Sequence, residues 1–259
     1  YARYLQHAYA QISGSGYEMI VTGLSGQLAY SAVGNAPQMW PVDGLFAIDA
    51  GKAATLLRSD PAHDSIPLCI VGLEEFTNAD NISPAVRESV QDVVEALVKT
   101  EARKFLFVSL DWMLRDYPRE QRRRGFTEGL GLHGISGDFL SCDGESFSAA
   151  YRAMQEYLKS NPVPDAIVCV TDILACGVMR ALLDKGVSIP QDCQIVGFGD
   201  YPEGEVIETP LTSLANPCQQ LVETGWKWLR ERIENPDLPA RHQIVPLTLV
   251  ERSSTRLLR

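Results

Sequence analysis

The sequence is short of positive charge. Its 23 Lys and Arg residues stand against 33 Asp and Glu residues, and the net charge is −10 at pH 7. Nucleic acids and anionic membrane surfaces attract positive charge, so we do not expect the chain as a whole to coat either. It also has no apolar run of about 18 residues, the length that crosses a bilayer as a helix, and no basic and then apolar leader. We therefore expect an unprocessed chain that makes no contact with membranes.

Cysteine is present, but no two cysteines form a C-x-x-C pair. Most lie inside apolar runs such as IPLCIVG and DAIVCVT. The six are Cys69, Cys142, Cys169, Cys176, Cys193 and Cys218. Small thiols in such runs favour buried, reduced cysteines over disulfides, and this predicts a cytoplasmic protein.

Catalytic and metal-binding motifs are missing as well. The four histidines show no metal-ligand spacing, and Gly23–Gly26 lacks the second spacer of a G-x-S-x-G nucleophile elbow. The segment GLGLHG, with Gly129, Gly131 and Gly134, formally matches a dinucleotide fingerprint. It follows a predicted helix rather than joining a strand to one, so helix termination explains it better. We expect no enzyme, no cofactor and no metal.

What the sequence does contain is an alternation of short Val- and Ile-rich runs with helical periodicity. Strands are predicted at 17–22, 43–49, 66–71, 104–109, near Phe139, and at 165–170, 193–198 and 241–250. Helices are predicted around 5–12, 51–60, 86–97, 119–130, 147–159, 172–185 and 219–233. This order predicts an α/β fold with parallel sheets covered on both faces.

So many strands suit two lobes better than one. In such folds ligands bind outside the carboxyl ends of the strands. Function is therefore expected in the loops that follow Thr22, Val71, Ser109, Val170 and Phe198.

Several segments together resemble the effector-binding core of the LacI/GalR family of bacterial transcription regulators. They are VDGLFAID and IPLCIVG, Asp80-Asn81 opening a helix, RRRGF at 122–126, residues 164–200, TPLTSL at 209–214 and PLTLVERSST at 246–255. The resemblance covers essentially the whole chain. Its most specific parts are the run from Pro164 to Leu214 and the terminal LVERSST.

The resemblance implies two Rossmann-like subdomains joined by three crossovers, a fold like that of periplasmic binding proteins. The N-subdomain would comprise residues 1 to about 100 and 215–246, and the C-subdomain about 101–214 and 247–259. It also implies a first strand and a helix-turn-helix headpiece upstream of Tyr1. We expect the chain to dimerise and sense a ligand, with operator DNA bound only by that headpiece.

The resemblance also implies site residues in the cleft between the lobes. Arg122 matches the arginine of the family's R-x-x-G-F pattern. Its planar guanidinium group can donate bidentate hydrogen bonds to adjacent hydroxyls, a carboxylate or a phosphate. A salt bridge across the cleft is the structural alternative. Thr171 and Asp172 match a polar pair at a strand end, where Thr171 would offer a hydroxyl and Asp172 either contacts ligand or caps the next helix.

The segment VGFGD departs from the family pattern, which is G-[FY]-D-D or G-[FY]-D-N. The first Asp, which often holds sugar hydroxyls in relatives, is Gly199 here, and Asp200 is the nearest acid. This puts an ordinary sugar in doubt. Tyr1 and Phe147 match or lie close to ligand-stacking aromatics, and Leu73 is a further lining candidate; such rings favour a flat or ring-shaped ligand.

The predicted function is therefore an allosteric, homodimeric effector domain without catalysis. The expected effector is a sugar, a sugar derivative, a purine or a small anion. Two rivals remain: a periplasmic-type solute-binding protein of a transporter, and an NAD-dependent enzyme that would use GLGLHG.

Overall fold

The chain folds into two compact units, each built from separate segments. The computed structural model describes residues 2–21, 42–50, 54, 64–72, 78–116 and 120–257. The first unit comprises Tyr1–Pro84 and Pro217–Val245, and the second comprises Ala85–Asn216 and Pro246–Arg259. The chain thus passes from one unit to the other three times. The α/β class with parallel sheets is confirmed.

The elements follow one another as the hydrophobic pattern predicts, with some differences. The helices are α1 (Ala2–Ser13), α2 (Val86–Lys99), α3 (Asp111–Asp116), α4 (Gln121–Gly131), α5 (Phe147–Ser160), α6 (Asp172–Asp184), α7 (Glu203–Val206) and α8 (Cys218–Glu234). The strands are β1 (Leu45–Ile48), β2 (Leu68–Val71), β3 (Asp80–Pro84), β4 (Phe105–Leu110), β5 (Gly137–Cys142), β6 (Ala166–Cys169), β7 (Gln194–Phe198), β8 (Thr212–Ala215), β9 (His242–Val245) and β10 (Thr248–Val250).

The first unit is a parallel sheet of order β1-β2-β3-β9 with α1 and α8 packed together in its core. Helix α1 buries Tyr4, Ala8 and Ile12, one residue per turn on one face. Helix α8 lies close to the sheet because Gly225 has no side chain. A Cβ there would lie 2.7 Å from the ring of Phe46.

A buried carboxylate anchors β3 in the first unit. Asp80 is fully buried and accepts hydrogen bonds from the guanidinium groups of Arg232 and Arg241 at 2.8–3.3 Å. Although burial opposes it, these bonds hold the pKa of Asp80 below its ordinary value. The prediction that Asp80-Asn81 opens a helix is wrong, because both residues pair with β2 and Asn81 also pairs with β9. The helix begins only at Val86.

The second unit is a sheet of order β10-β8-β7-β6-β4-β5, parallel except for the antiparallel pair of β10 and β8. Helices α2 and α4 pack against each other closely. A Cβ on Gly125 of α4 would lie 2.4 Å from the carbonyl oxygen of Arg87 on α2. Helix α2 therefore belongs to the second unit. The chain first passes from the first unit to the second between Pro84 and Ala85, earlier in the sequence than the predicted boundary near residue 100.

Two predicted strands differ in the structure. Residues 17–21 form no strand; Tyr17 packs edge-to-face on Trp226 at 5.3 Å between ring centroids. The predicted strand at 241–250 is two strands, since β9 pairs with β3 and β10 pairs with β8. Pro246 lies between them, and proline has no N–H to donate to a ladder. Of the predicted helix at 51–60, only Ala54 lies within the described residues.

The predictions for the cysteines and for the GLGLHG segment are confirmed within the described part of the chain. All six cysteines are free, and Cys176 alone is not fully buried. The GLGLHG segment ends α4 and turns at Gly134, whose φ is +66°, instead of linking a strand to a helix. No helix among the described residues is long and apolar enough to cross a membrane.

Candidate functional site

The polar residues predicted to bind ligand lie at the carboxyl edge of the second sheet. β4, β6 and β7 are neighbours and run parallel, so the segments that follow them leave the sheet at the same edge. This is the edge at which open α/β sheets bind ligands. The described candidates in this unit are Arg122, Phe147, Thr171, Asp172, Gly199 and Asp200.

Arg122 lies in the first turn of α4 and is only 9% exposed. Its Nη1 donates to the carbonyl oxygen of Val170, just past β6, at 3.0 Å. Its guanidinium carbon lies 5.1 Å from the ring centroid of Phe198, the last residue of β7. Arg122 therefore bridges the ends of two neighbouring strands at the predicted edge.

Glu120 holds Arg122 from the other side. Its Oε1 accepts from Nε of Arg122 at 2.5 Å, and its Oε2 accepts from the backbone N–H of Arg123 at 2.8 Å. Glu120 is thus both the N-cap of α4 and the ion-pair partner of Arg122. This salt bridge joins two residues of the same unit and is not the one across the cleft that the alternative for Arg122 describes. Ligand contact by Arg122 stays a prediction.

Thr171 caps α6, with its hydroxyl oxygen accepting from the backbone N–H of Leu174 at 3.4 Å. The prediction that Asp172 caps this helix is therefore wrong. Asp172 is the first helical residue, and its side chain turns into the protein, where it is only 2% exposed.

The carboxylate of Asp172 ties three segments together. Its Oδ2 accepts from the backbone N–H of Tyr201 at 2.7 Å, and its Oδ1 accepts from the hydroxyl of Ser213 at 2.6 Å. Burial raises the pKa of Asp172, these two hydrogen bonds act against that rise, and the charge of Asp200 adds to it. The ends of β6 and β7 and strand β8 thus meet on one buried carboxyl group.

Ser213 continues this network to Asp200. Its hydroxyl oxygen accepts from the backbone N–H of Asp200 at 3.0 Å, and the Asp200 carboxylate forms an ion pair with Arg252 at 2.8 Å. Arg252 also donates to the carbonyl oxygen of Leu211 at 2.8 Å. The C-terminal segment is therefore connected to the candidate site.

Two glycines in and after β7 permit this arrangement. A Cβ on Gly197 would lie 2.1 Å from Oδ1 of Asp172, so only glycine lets the carboxylate reach the sheet. Gly199 has φ +123°, and a Cβ there would lie 3.1 Å from the ring of Tyr201. An aspartate at this position, as in the pattern that the resemblance implies, would be strained on this backbone.

The remaining candidates are less closely connected. Phe147 begins α5 just after β5, is 47% exposed and stacks on Tyr151 with the rings 6.5 Å apart. Its exposure and its place near the strand ends suit a ligand contact, which stays a prediction. Tyr1 and Leu73 lie outside the described residues.

Sequence reasoning missed three residues that shape this edge. Glu120 lies two positions before Arg122, Ser213 lies within TPLTSL, and Arg252 lies within LVERSST. The last two are in segments that carry the family resemblance, so that signal was available. No sequence periodicity marks Glu120, and only its contacts identify it.

The site contains donors and acceptors suited to a polar ligand. Within the described ranges, no group of three His, Cys, Asp or Glu side chains is placed to hold a metal ion. Arg122, Thr171 and Asp200 provide charged or hydroxyl groups, and Phe147 provides an exposed ring. Such a set can recognise a small molecule through hydrogen bonds without a reaction.

Comparisons with known proteins concern the family and the fold of the chain. A family model for the periplasmic binding protein-like domain matches residues 94–255. Catabolite control protein A of Staphylococcus aureus is 26% identical over 211 residues, which cover 78% of this chain and 63% of that protein. The chain therefore spans less than two thirds of the length of that relative.

Solved structures share the fold over nearly the whole chain. A LacI family transcriptional regulator from Enterococcus faecium with bound ribose has a TM-score of 0.81 at 20% identity, covering 100% of this chain and 94% of that one. An uncharacterised protein from Actinobacillus succinogenes has a TM-score of 0.84 at 23% identity, covering 98% of this chain and 94% of that one. With more than half of its length matched, this chain belongs to the family of periplasmic binding protein-like domains, and its relatives include LacI-family transcriptional regulators.

Proposed function

We propose that the chain is the ligand-sensing and dimerisation domain of a LacI-type transcriptional regulator. A small-molecule effector binds at the carboxyl edge of the second sheet, and no covalent chemistry follows. The observation that carries this proposal is the buried fork of Arg122, held between Glu120 and the ends of β6 and β7. The match to LacI-family relatives supports the regulatory role.

The chemistry of the edge suits a sugar, a sugar derivative, a purine or a small anion. An arginine fork can donate to two adjacent oxygens of one ligand. Thr171 adds a hydroxyl, and the exposed ring of Phe147 offers a face for stacking. The ribose bound to the Enterococcus faecium regulator supports the sugar class.

Regulation follows from differential binding. An effector shifts the balance between two states of the domain only if it binds them unequally, and typical couplings are about 1–3 kcal/mol. The network of Asp172, Ser213 and Asp200 joins several loops at this edge. A ligand that contacts any of these loops therefore acts on the others. A helix-turn-helix segment outside these 259 residues binds operator DNA, and homodimerisation through this chain couples two such segments.

A thermal-shift screen tests effector binding. The panel contains neutral sugars, sugar phosphates, purines and small carboxylates. A ligand present at 100 times its dissociation constant stabilises the folded state by about 2.7 kcal/mol, which raises the melting temperature measurably. If no member of the panel shifts the melting temperature, effector binding of this chemistry is refuted.

The alternative is a solute-binding protein of a transporter, which the name of the matched family favours. Such a protein is expected to be monomeric, whereas the regulator is a dimer. Sedimentation velocity of the purified chain separates the two. A monomer at all accessible concentrations, combined with tight binding of a sugar, would favour the alternative.

A further inference from the structure

We propose that Glu120 is a positioning residue that fixes the guanidinium of Arg122 and balances its charge. The site then accepts a neutral hydrogen-bonding ligand and excludes an anion. This inference rests on the proposed function, because it narrows the class of ligand that the same site takes. It assigns Glu120 no contact with the ligand itself.

The first step is the geometry of the pair. Glu120 and Arg122 are two residues apart, and their Oε1 and Nε atoms lie 2.5 Å apart. Both side chains are buried, with exposed fractions of 6% and 11%. Because the second oxygen of Glu120 accepts from the backbone N–H of Arg123, the carboxylate cannot rotate away without uncapping α4. The pair is therefore fixed by the helix that carries it.

The second step is a count of donors. An arginine side chain has five N–H donors. Among the described residues, Glu120 takes the Nε–H and Val170 takes one N–H of Nη1, while Nη2 contacts only the weakly accepting sulfur of Met113, at 3.9 Å. Donors of Nη1 and Nη2 thus remain for the hydroxyl or carbonyl oxygens of a ligand. The guanidinium group can therefore donate directed hydrogen bonds to a ligand, although Glu120 already neutralises its positive charge.

The third step is electrostatic. A buried ion pair is stable because each charge compensates the other, and a third charge in the same place must be desolvated without a counterion. An anionic group on Arg122 would compete with Glu120 for one cation. Asp172 places a further carboxyl group at the same edge, while the carboxylate of Asp200 there is already paired with Arg252. A neutral ligand brings no charge, so it incurs no such desolvation cost and does not compete with Glu120.

Inorganic phosphate is the probe that tests this inference, with binding followed at the Nε–H resonance of Arg122. Glu120→Gln keeps an acceptor for the helix cap and removes the charge. We expect the wild-type resonance to be unmoved by phosphate, and Glu120→Gln to bind phosphate at least about tenfold more tightly, the scale of one charge-assisted hydrogen bond. Adding Arg122→Gln to that variant is expected to abolish the gain.

The matched control is Glu95→Gln on α2. It changes the net charge equally but removes an exposed partner of Lys99, so it is expected to leave phosphate binding unchanged. A purely structural role of Glu120 would lower the melting temperature of Glu120→Gln without changing its selectivity for anions. Equal phosphate binding by the wild type and Glu120→Gln would overturn the inference.

A measurement on the wild-type chain alone keeps the inference falsifiable if Glu120→Gln does not fold. Phosphate that binds the wild type through Arg122 would contradict it directly, and the absence of such binding supports it. Inorganic phosphate lies outside the screening panel and its binding is read at Arg122, so these results do not depend on the screen that tests the proposed function. A failed screen and a failed exclusion of anions are therefore separate results.

Discussion

Gly197→Ala is the substitution whose effect follows most directly from the geometry of the site. The added Cβ would lie 2.1 Å from Oδ1 of Asp172 and 2.9 Å from Cδ2 of Leu211. Real Cβ contacts are rarely below 3.0 Å, so the carboxylate must move by about 1 Å. That movement breaks its 2.6 Å hydrogen bond to Ser213 and strains the 2.7 Å bond from Tyr201.

The magnitude follows from these two bonds. Hydrogen bonds to charged groups contribute about 1.5–3 kcal/mol each, so we expect Gly197→Ala to lower the free energy of unfolding by about 2–5 kcal/mol. Urea denaturation measures this change. Gly204→Ala is the matched control in the same region, because its nearest atom would lie at an ordinary 3.4 Å, and it should change stability by less than about 1 kcal/mol.

A double-mutant cycle identifies the cause. In an Asp172→Ala background the carboxylate is gone, so Gly197→Ala should cost much less than in the wild type. Equal costs in both backgrounds would refute the reasoning, as would a wild-type cost below about 1.5 kcal/mol, the lower bound expected for breaking one such bond.

The remaining predictions concern three separate positions. Asp80→Asn should lower the free energy of unfolding by about 2–4 kcal/mol in urea, because it leaves Arg232 partly buried without its counterion and Arg241 with Glu231 alone; a loss below about 0.5 kcal/mol would contradict this. Because the folded-state pKa of Asp80 is below its ordinary 3.8, its stabilisation is present above that pH and lost as the pH falls below it, so Asp80→Asn should flatten the acid limb of the stability curve. Burial raises the pKa of Cys176 to about 11, so iodoacetamide at pH 8 should modify it far more slowly than a solvent-exposed thiol. Mass spectrometry measures the rate, and modification as fast as that of an exposed thiol would contradict the prediction. Gly199→Asp should cost about 1–3 kcal/mol, because aspartate is strained at φ +123°, and unchanged thermal stability would be incompatible with this backbone.

Much of the fold follows from hydrophobic pattern. The Val and Leu spacing of α2 and the apolar runs of β4, β6 and β7 mark elements whose burial is a property of the local sequence. Strand β3 could not be predicted in this way. Its five residues, DNISP, owe their burial to ion pairs and strand partners that are distant in sequence.

The candidate site could be predicted only in part for the same reason. Arg122 and Thr171 lie in recognisable motifs at strand ends, so their region was identified from sequence. The inward turn of Asp172 depends on the absence of a side chain at Gly197 and on Ser213, 41 residues away. The role of Glu120 could not be predicted, because no sequence pattern marks its contact with Arg122. The pairing of Asp172 with Ser213 forms only when strands distant in sequence are assembled.

The central claim is that an effector binds at the carboxyl edge of the second sheet through Arg122. Calorimetric titration of the best ligand from the screen, with the wild type and with Arg122→Lys, tests it most directly. Lysine keeps a cation beside Glu120 but loses the planar fork. The account predicts an affinity at least about tenfold weaker with a preserved melting temperature. Unchanged affinity would contradict it.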